Sequence, residues 1–150
     1  VAMLRLRCPL ANAPLALTRE FRERYVPNQN PELMPLSAAI DGEPVALDAL
    51  PRGREITLSV GWSAMSRERY VVYDSERVQL REQYESLRVS WFVTDGELAF
   101  DHTGRTADEP THHTDNRWVT PQRAGRTHLW LVLRDERGGS THAAYVLDVR

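Results

Sequence analysis

Lysine is absent from the 150-residue sequence and cysteine occurs once. The 19 basic residues are therefore all arginines, and 21 acidic residues bring the formal net charge to −2. A dedicated nucleic-acid binder needs a basic surface, so this charge argues against one. The single Cys8 excludes an internal disulfide framework, and we expect it to be a buried small apolar residue. No apolar run approaches the roughly 18–20 residues of a membrane-spanning helix.

Motifs for catalysis are also missing. No Gly-x-Ser-x-Gly elbow is present, and nothing in the sequence ties a histidine to Cys8. The run Arg137-Gly138-Gly139-Ser140 is typical of a hairpin turn rather than of a phosphate-binding loop. We therefore predict no catalytic residues, no cofactor and no enzymatic activity.

The length fits one domain with an appendage, and it suffices for a sizeable core without a metal or disulfide. The chain begins at Val1 rather than Met, so we expect a segment upstream, and a signal peptide there is compatible with the sequence.

The N-terminal part differs from the rest in its pattern. Residues 1–6 predict a short strand, and Thr18 is a candidate N-cap of a helix. One face of this helix is apolar: Leu17, Phe21 and Tyr25. Prolines and asparagines at 27–35 predict an extended linker. We place the boundary so that residues 1–32 form an appendage with its linker and residues 33–150 form the main domain.

The clearest strand is LRVSWFV at 87–93, in which apolar and polar residues alternate with period 2. Trp91 lies in its middle and is predicted to be a core residue. Asp95-Gly96 follows and predicts a hairpin turn, after which Leu98 and Phe100 resume the apolar positions.

Further short strands are predicted, separated by Gly, Asp and Pro turns: residues 36–40, 45–47, 55–62, 70–73, 116–120, 128–134 and 141–149. Pro121 stops the 116–120 strand, as is typical of an edge strand. Residues 76–86 are polar with apolar residues at helical spacing, which favours a short helix in an insertion at 63–86. Residues 101–115 predict a polar loop. This spacing predicts an all-β, two-sheet sandwich of about seven strands.

Several of these motifs resemble bacterial immunoglobulin-like domains of the PKD and cadherin-like type. The matching residues are Val89-Ser90-Trp91, Asp95-Gly96, Gly125, Leu131-Val132-Leu133-Arg134-Asp135 and Gly138-Gly139. The resemblance covers about 33–150 and implies an immunoglobulin-like sandwich in secreted or envelope-attached proteins, often lipoproteins. It further implies spacer, adhesive or partner-binding roles rather than catalysis. The insertion at 63–86 and the first 30 residues depart from the family pattern.

Two stretches suggest a ligand-binding alternative. The 101–115 loop carries imidazoles and carboxylates, which are metal ligands: Asp101, His102, Asp108, Glu109, His112, His113 and Asp115. A solvated acidic loop, a calcium site and a zinc site all fit this composition, and no spacing motif selects a metal. Trp62 and Trp118, if exposed near strand ends, would stack on sugars. The alternative function is therefore a glycan- or calcium-binding module.

The most informative feature is apolar residues on the wrong face of the predicted strands. The resemblance to immunoglobulin-like domains implies that the strands at 87–93, 128–134 and 141–149 are neighbours in one sheet. Their outer face then carries Phe92, Trp130, Val132, Ala144 and Val146. Two interpretations stay open. Either the 63–86 insertion or the N-terminal segment covers this face, or the face is open and docks another protein, a second copy or a neighbouring domain.

We therefore predict a non-catalytic immunoglobulin-like module of a secreted or cell-envelope protein, with structural, adhesive or protein-contact roles. The predicted partner-binding residues are Phe92, Trp130, Val132 and Val146, with no metal ligands and no nucleic acid bound. The sequence does not determine the oligomeric state.

Overall fold

The computed structural model describes residue 10 and residues 12–150. The strand predicted at 1–6 and Cys8 lie outside the described residues. A helix, α1 (Leu15–Arg24), comes first, followed by strands. The first seven strands are β1 (Ser37–Ile40), β2 (Glu43–Val45), β3 (Glu55–Gly61), β4 (Arg69–Asp74), β5 (Gln79–Tyr84), β6 (Leu87–Val93) and β7 (Glu97–Leu98). The remaining four are β8 (His102–Arg105), β9 (His113–Val119), β10 (Gly125–Asp135) and β11 (Ser140–Val149).

Two antiparallel sheets form the body of the molecule. The first has the strand order β2-β1-β3-β9-β7, and the second has the order β11-β10-β6-β8. Strands β4 and β5 form a separate hairpin. The predicted all-β two-sheet sandwich is confirmed, and the strands predicted near 36–40, 55–62, 87–93, 128–134 and 141–149 are all present.

The core lies between the two sheets because each long strand alternates buried and exposed residues. Strand β3 buries Ile56, Leu58 and Val60, and β10 buries Leu129, Leu131 and Leu133. The indoles of Trp91 and Trp118 complete the core and are hydrogen-bonded there. Trp91 Nε1 donates to Thr103 Oγ1 at 2.8 Å, and Trp118 Nε1 donates to the Asp95 carbonyl at 3.1 Å. Buried indoles need such partners, so both rings are fixed in orientation.

The Asp95-Gly96 turn differs from its prediction. It connects β6 in the second sheet to β7 in the first, so it crosses between sheets and does not close a hairpin. Gly96 has φ +81°, and a Cβ there would lie 2.4 Å from Trp118 Nε1. The turn therefore needs glycine both for its backbone conformation and for close packing on Trp118.

The helix predicted within 76–86 is wrong, because this stretch forms strand β5, which pairs with β4. The 63–86 insertion contains helix only in a single 3₁₀ turn, Ala64–Ser66. Helix α1 packs against the β4–β5 hairpin. Thr18 is not its N-cap: the helix begins earlier, after Pro14, and Thr18 Oγ1 donates to the Pro14 carbonyl at 3.3 Å. No helix in the described part of the chain is both long and apolar enough to cross a membrane.

Two further expectations are corrected. The strand predicted at 116–120 is not an edge strand, because β9 pairs with β3 along its length and with β7 at its end. The predicted 101–115 loop contains strand β8, which pairs with β6, and the first residues of β9, so the loop between these strands is residues 106–112. Both corrections have one cause: pairing depends on chain segments far away in sequence, which local patterns do not reveal.

Candidate functional site

The outer face of the second sheet carries the predicted partner-binding residues. Phe92 on β6 lies directly opposite Trp130 on β10, and Trp130 lies opposite Ala144 on β11. Val146 lies two residues further along β11 on the same face, opposite His128. Val132 lies between Ser90 and His142. The structure therefore brings Phe92, Trp130, Val132 and Val146 together on one face, and we call these four residues the outer apolar patch.

The outer apolar patch is open to solvent. Phe92 is 53% exposed, Trp130 41% and Val146 51%, whereas Val132 is half-buried. Neither of the segments proposed as covers lies over the patch. Helix α1 packs on the β4–β5 hairpin instead. Among the described residues, the patch is thus an uncovered apolar surface.

The patch rests on a well-packed support. Trp91 is the inward-facing neighbour of Phe92 on β6 and is only 2% exposed. Leu131, inward-facing between Trp130 and Val132, lies opposite Trp91 and is fully buried. Residues of β6 and β10 alternate between the core and the outer face. Packing of their core side chains therefore fixes the backbone that carries the patch residues.

Polar side chains border the patch at one end. The imidazole of His128 stacks on the Trp130 ring with 5.8 Å between ring centroids and 19° between planes. Beyond it, Arg126 and Asp148 are cross-strand neighbours and form an ion pair of 3.5 Å. His128, Arg126 and Asp148 thus give the patch a polar edge.

A cavity of about 470 Å³ borders the patch at its other end. Arg88 on β6 and Arg134 on β10 are directly opposite each other in the sheet at this cavity. Ser90 Oγ and His102 Nδ1 lie 3.0 Å apart beside them. The cavity lining consists of Ser86, Arg88, Ser90, His102, Arg134, Asp135 and Glu136.

A buried ionic cluster lies next to this end of the sandwich, and sequence reasoning did not find it. Its centre is Arg137, in the β10–β11 turn and 5% exposed. Arg137 Nε donates to Glu85 Oε1 at 2.5 Å and to Asn28 Oδ1 at 2.8 Å, and Nη2 donates to Glu68 Oε2 at 3.0 Å. Asp135 joins through Asn28 Nδ2 at 3.0 Å. We call Asn28, Glu68, Glu85, Asp135 and Arg137 the Arg137 cluster.

The cluster contains three carboxyl groups and one guanidinium, and this imbalance affects Glu85. Burial is the main cause that raises the pKa of Glu85, to about 7; the negative charges of Asp135 and Glu68 add to it, and Arg137 opposes it. The second carboxyl oxygen, Oε2, is buried and has no hydrogen-bond partner among the described residues. Tyr70, whose ring lies under the Arg137 guanidinium, has its pKa raised to about 12, chiefly by burial.

The cluster connects four segments that are distant in sequence. Arg137 Nη1 also donates to the Val26 carbonyl at 2.9 Å, and Ser140 N donates to Asn30 Oδ1 at 3.1 Å. The segment at 26–32 therefore contacts the sandwich through specific hydrogen bonds. The boundary between 32 and 33 stays a prediction. The Arg137 cluster therefore has a structural role: its side chains hydrogen-bond one another and hold these segments together.

The glycan platform predicted from Trp62 and Trp118 is wrong. Trp62 is buried beside the first sheet and Trp118 lies in the core. Neither indole offers a ring face to a sugar. Trp118 is central in its sheet because β9 has strands on both sides there, which the sequence pattern of a strand stopped by Pro121 did not reveal.

The 101–115 stretch separates its imidazoles and carboxylates. His102 lies on β8 beside Ser90, and His113 begins β9. Glu109 instead accepts hydrogen bonds from Thr106 N and Oγ1 at 2.8 and 3.0 Å, and these bonds lower its pKa. Within the described residues, no group of three or more His, Cys, Asp or Glu side chains is arranged to bind a metal ion.

Comparison with known proteins gives few relatives. No protein-family model matches the chain, and no curated protein matches it. One similar solved structure is a C-terminal 282-residue fragment of intimin in complex with the intimin-binding domain of the translocated intimin receptor. The two chains are 12% identical with a TM-score of 0.41, and the match covers 79% of this chain and 33% of that one. This chain thus spans about a third of that fragment, and the likeness assigns it no family and no partner.

Proposed function

We propose that this chain is a non-catalytic module of a secreted or cell-envelope protein, and that the outer apolar patch contacts a protein partner or a neighbouring domain. One observation carries the proposal: Phe92, Trp130 and Val146 are exposed together on a sheet whose other face is packed. Contiguous exposed apolar residues bordered by polar ones are typical of protein interaction surfaces. A few residues, among which Trp is enriched, contribute most of the binding energy at such surfaces.

The geometry of the patch supports the same proposal. Its residues lie on strands β6, β10 and β11, which are long and paired, so little backbone conformational entropy is lost on contact. His128 stacks on Trp130 and restricts that side chain before any partner arrives. The Arg126–Asp148 pair adds a polar rim that excludes non-specific apolar contact. The secreted or envelope setting is supported by the resemblance of the strand and turn motifs to bacterial immunoglobulin-like domains.

Site-specific photo-crosslinking in cells that produce the natural full-length protein tests the proposal. A benzophenone amino acid is placed at position 92, in the patch, or at position 119, where Val119 is exposed on the first sheet. We expect a discrete crosslinked species from position 92 that is lost when Trp130→Ser is added and is kept when Val119→Ser is added. Absence of a crosslink at 92, or equal yields of the same species from 92 and 119, would contradict the proposal.

A further inference from the structure

The two arginines at the cavity are placed in an unusual way. Arg88 and Arg134 are directly opposite each other on adjacent strands, a position where like charges destabilise a sheet. In the described part of the chain neither guanidinium makes an ion pair or a hydrogen bond. By contrast, Arg117 on the first sheet is paired with Glu55 at 3.6 Å. Two guanidiniums therefore present free donors beside one cavity.

The carboxylates of the cavity lining are already engaged. Asp135 Oδ1 accepts from Gly139 N at 2.7 Å, and its Oδ2 accepts from Asn28. Glu136 accepts from the Tyr70 hydroxyl at 2.6 Å and from Ser86 Oγ at 3.0 Å. Both carboxylates are oriented by bonds within the chain, whereas the guanidinium donors are not. Among the described residues, none of the cavity's acceptors is hydrogen-bonded to Arg88 or Arg134.

The chemistry of the lining selects the class of ligand. A planar guanidinium matches a carboxylate with two parallel hydrogen bonds. The formal charges of Arg88, Arg134, Asp135 and Glu136 cancel, so a doubly charged phosphate would meet two nearby carboxylates without an excess of positive charge. A singly charged carboxylate loses less to this repulsion and is the better ligand.

Continuity with the outer apolar patch indicates where that carboxylate comes from. Along β6 and β10, the Arg88–Arg134 pair is followed by Ser90–Val132 and then by Phe92–Trp130. A strand residue advances about 3.3 Å, so the arginine pair and the aromatic pair are roughly 13 Å apart. In an extended peptide, residues i and i+4 lie on one face at the same separation. The partly exposed Trp130 ring, directly opposite Phe92, offers an apolar surface to the second of these side chains.

We propose that the cavity binds a carboxylate side chain of an extended partner segment, with Arg88 and Arg134 as its ligands and an apolar side chain four residues away on Phe92 and Trp130. This inference deepens the proposed function and rests on it, because it assumes that the outer apolar patch contacts protein. The site adds a charge requirement to the surface: the partner segment must carry an acidic residue at a fixed distance from an apolar one.

Nuclear magnetic resonance titration of the full chain with a defined peptide tests the inference. The probe is acetyl-Glu-Ser-Thr-Ser-Phe-amide, and its matched control has Gln in place of Glu. We expect saturable shifts at both the cavity and the patch, with the Glu peptide binding at least about tenfold more tightly than the Gln peptide. Arg88→Gln and Arg134→Gln should each abolish this preference, and the control Arg117→Gln should keep it.

The outcomes separate this inference from the proposed function. Equal binding of the Glu and Gln peptides at the patch would overturn the carboxylate site and leave the patch as a contact surface. No binding of the Glu peptide would also overturn it, while the crosslinking experiment decides the proposed function independently. As a further arm, N-acetylneuraminate is titrated alone. Tighter binding of this acidic sugar than of the Glu peptide, with the same dependence on Arg88 and Arg134, would overturn the peptide assignment.

Discussion

The Arg137 cluster and the outer apolar patch depart in opposite ways from the usual distribution of residues in a folded protein. The cluster places charges inside, with Arg137 5% exposed and Glu85 1% exposed. The patch places large apolar side chains outside, at Phe92 and Trp130. Buried charges and contiguous exposed apolar residues are both uncommon. The two regions differ in how their unfavourable exposure or burial is compensated.

Compensation in the Arg137 cluster is internal. The guanidinium of Arg137 donates hydrogen bonds to Glu68, Glu85 and Asn28, so nearly all of its donors have partners within the chain. The patch has no such compensation from the described residues. We infer that the cluster serves the fold, since it fixes segments distant in sequence, whereas contact is the role that the proposed function gives to the patch. The predictions below test this division, from the largest expected change to the smallest.

Replacement of Arg137 by methionine should cause one of the largest losses of stability. Arg137→Met leaves Glu85 and Glu68 without their cation in a buried site, and we expect the free energy of unfolding to fall by about 3–5 kcal/mol. Urea denaturation followed by circular dichroism measures this change. The control Arg117→Met breaks the exposed pair with Glu55 and should change the free energy by less than about 1 kcal/mol. Similar effects of the two variants would contradict the structural role of the cluster.

Neighbouring residues on β6 offer a comparison of inside and outside. Trp91→Ala removes a core side chain and should lower the free energy of unfolding by about 3–5 kcal/mol. Phe92→Ala, one position on, should lower it by less than about 1 kcal/mol, because the ring is half in solvent. Denaturant unfolding of both variants checks the pair. A large loss for Phe92→Ala would show that the patch is packed against something within the chain.

The pH dependence of the free energy of unfolding should report the protonation of Glu85. Its pKa is about 7 in the folded protein, above an ordinary value of 4.5. Between these pH values the folded state binds a proton that the unfolded state releases, so stability falls as pH rises through this window and levels off above 7. The loss is at most about 3 kcal/mol. Asp135, Glu68, Arg137 and Tyr70 are the charged or titratable groups around it.

Comparison of the wild type with Glu85→Gln isolates this contribution. The amide does not titrate, and the five histidines are present in both proteins. We expect the difference between the two stability curves to decline from pH 4.5 to 7. A difference independent of pH would mean that Glu85 stays ionised throughout, paired with Arg137.

Trp130→Ser should have a small effect on stability and the largest effect on contact. Because the ring is partly exposed, we expect the free energy of unfolding to fall by no more than about 1 kcal/mol. The same variant should abolish the crosslink from position 92. Loss of stability of more than about 2 kcal/mol together with an unchanged crosslink would reverse the roles assigned to the patch and the cluster.

Local sequence patterns were sufficient to predict the strands that form the sandwich and the opposite orientations of Trp91 and Phe92. Period 2 is a property of the strand itself, so 87–93 and 128–134 were predictable. The turn between β4 and β5 was not, because Val78 adopts φ +52° there and valine gives no turn signal. The crossing at Asp95-Gly96 depends on Trp118, a residue distant in sequence.

The functional regions were predictable to different degrees. The residues that share the outer apolar patch follow from alternation once neighbouring strands are known, whereas the sequence left open whether that face is covered. The Arg137 cluster was not predicted, because Asn28, Glu68, Glu85 and Arg137 come from four segments and each resembles an ordinary surface residue in sequence. Only the three-dimensional arrangement shows that three carboxyl groups share one guanidinium.

Fluorine magnetic resonance of the chain labelled with 5-fluorotryptophan tests most directly whether the patch is open. The four tryptophans give four signals, and Trp130→Phe assigns the one from the patch. Trp62, Trp91 and Trp118 are buried, so only the Trp130 signal should shift when H₂O is replaced by D₂O. A Trp130 signal that does not respond to the solvent would show that the face is covered, and would contradict the assignment of the outer apolar patch as a contact surface.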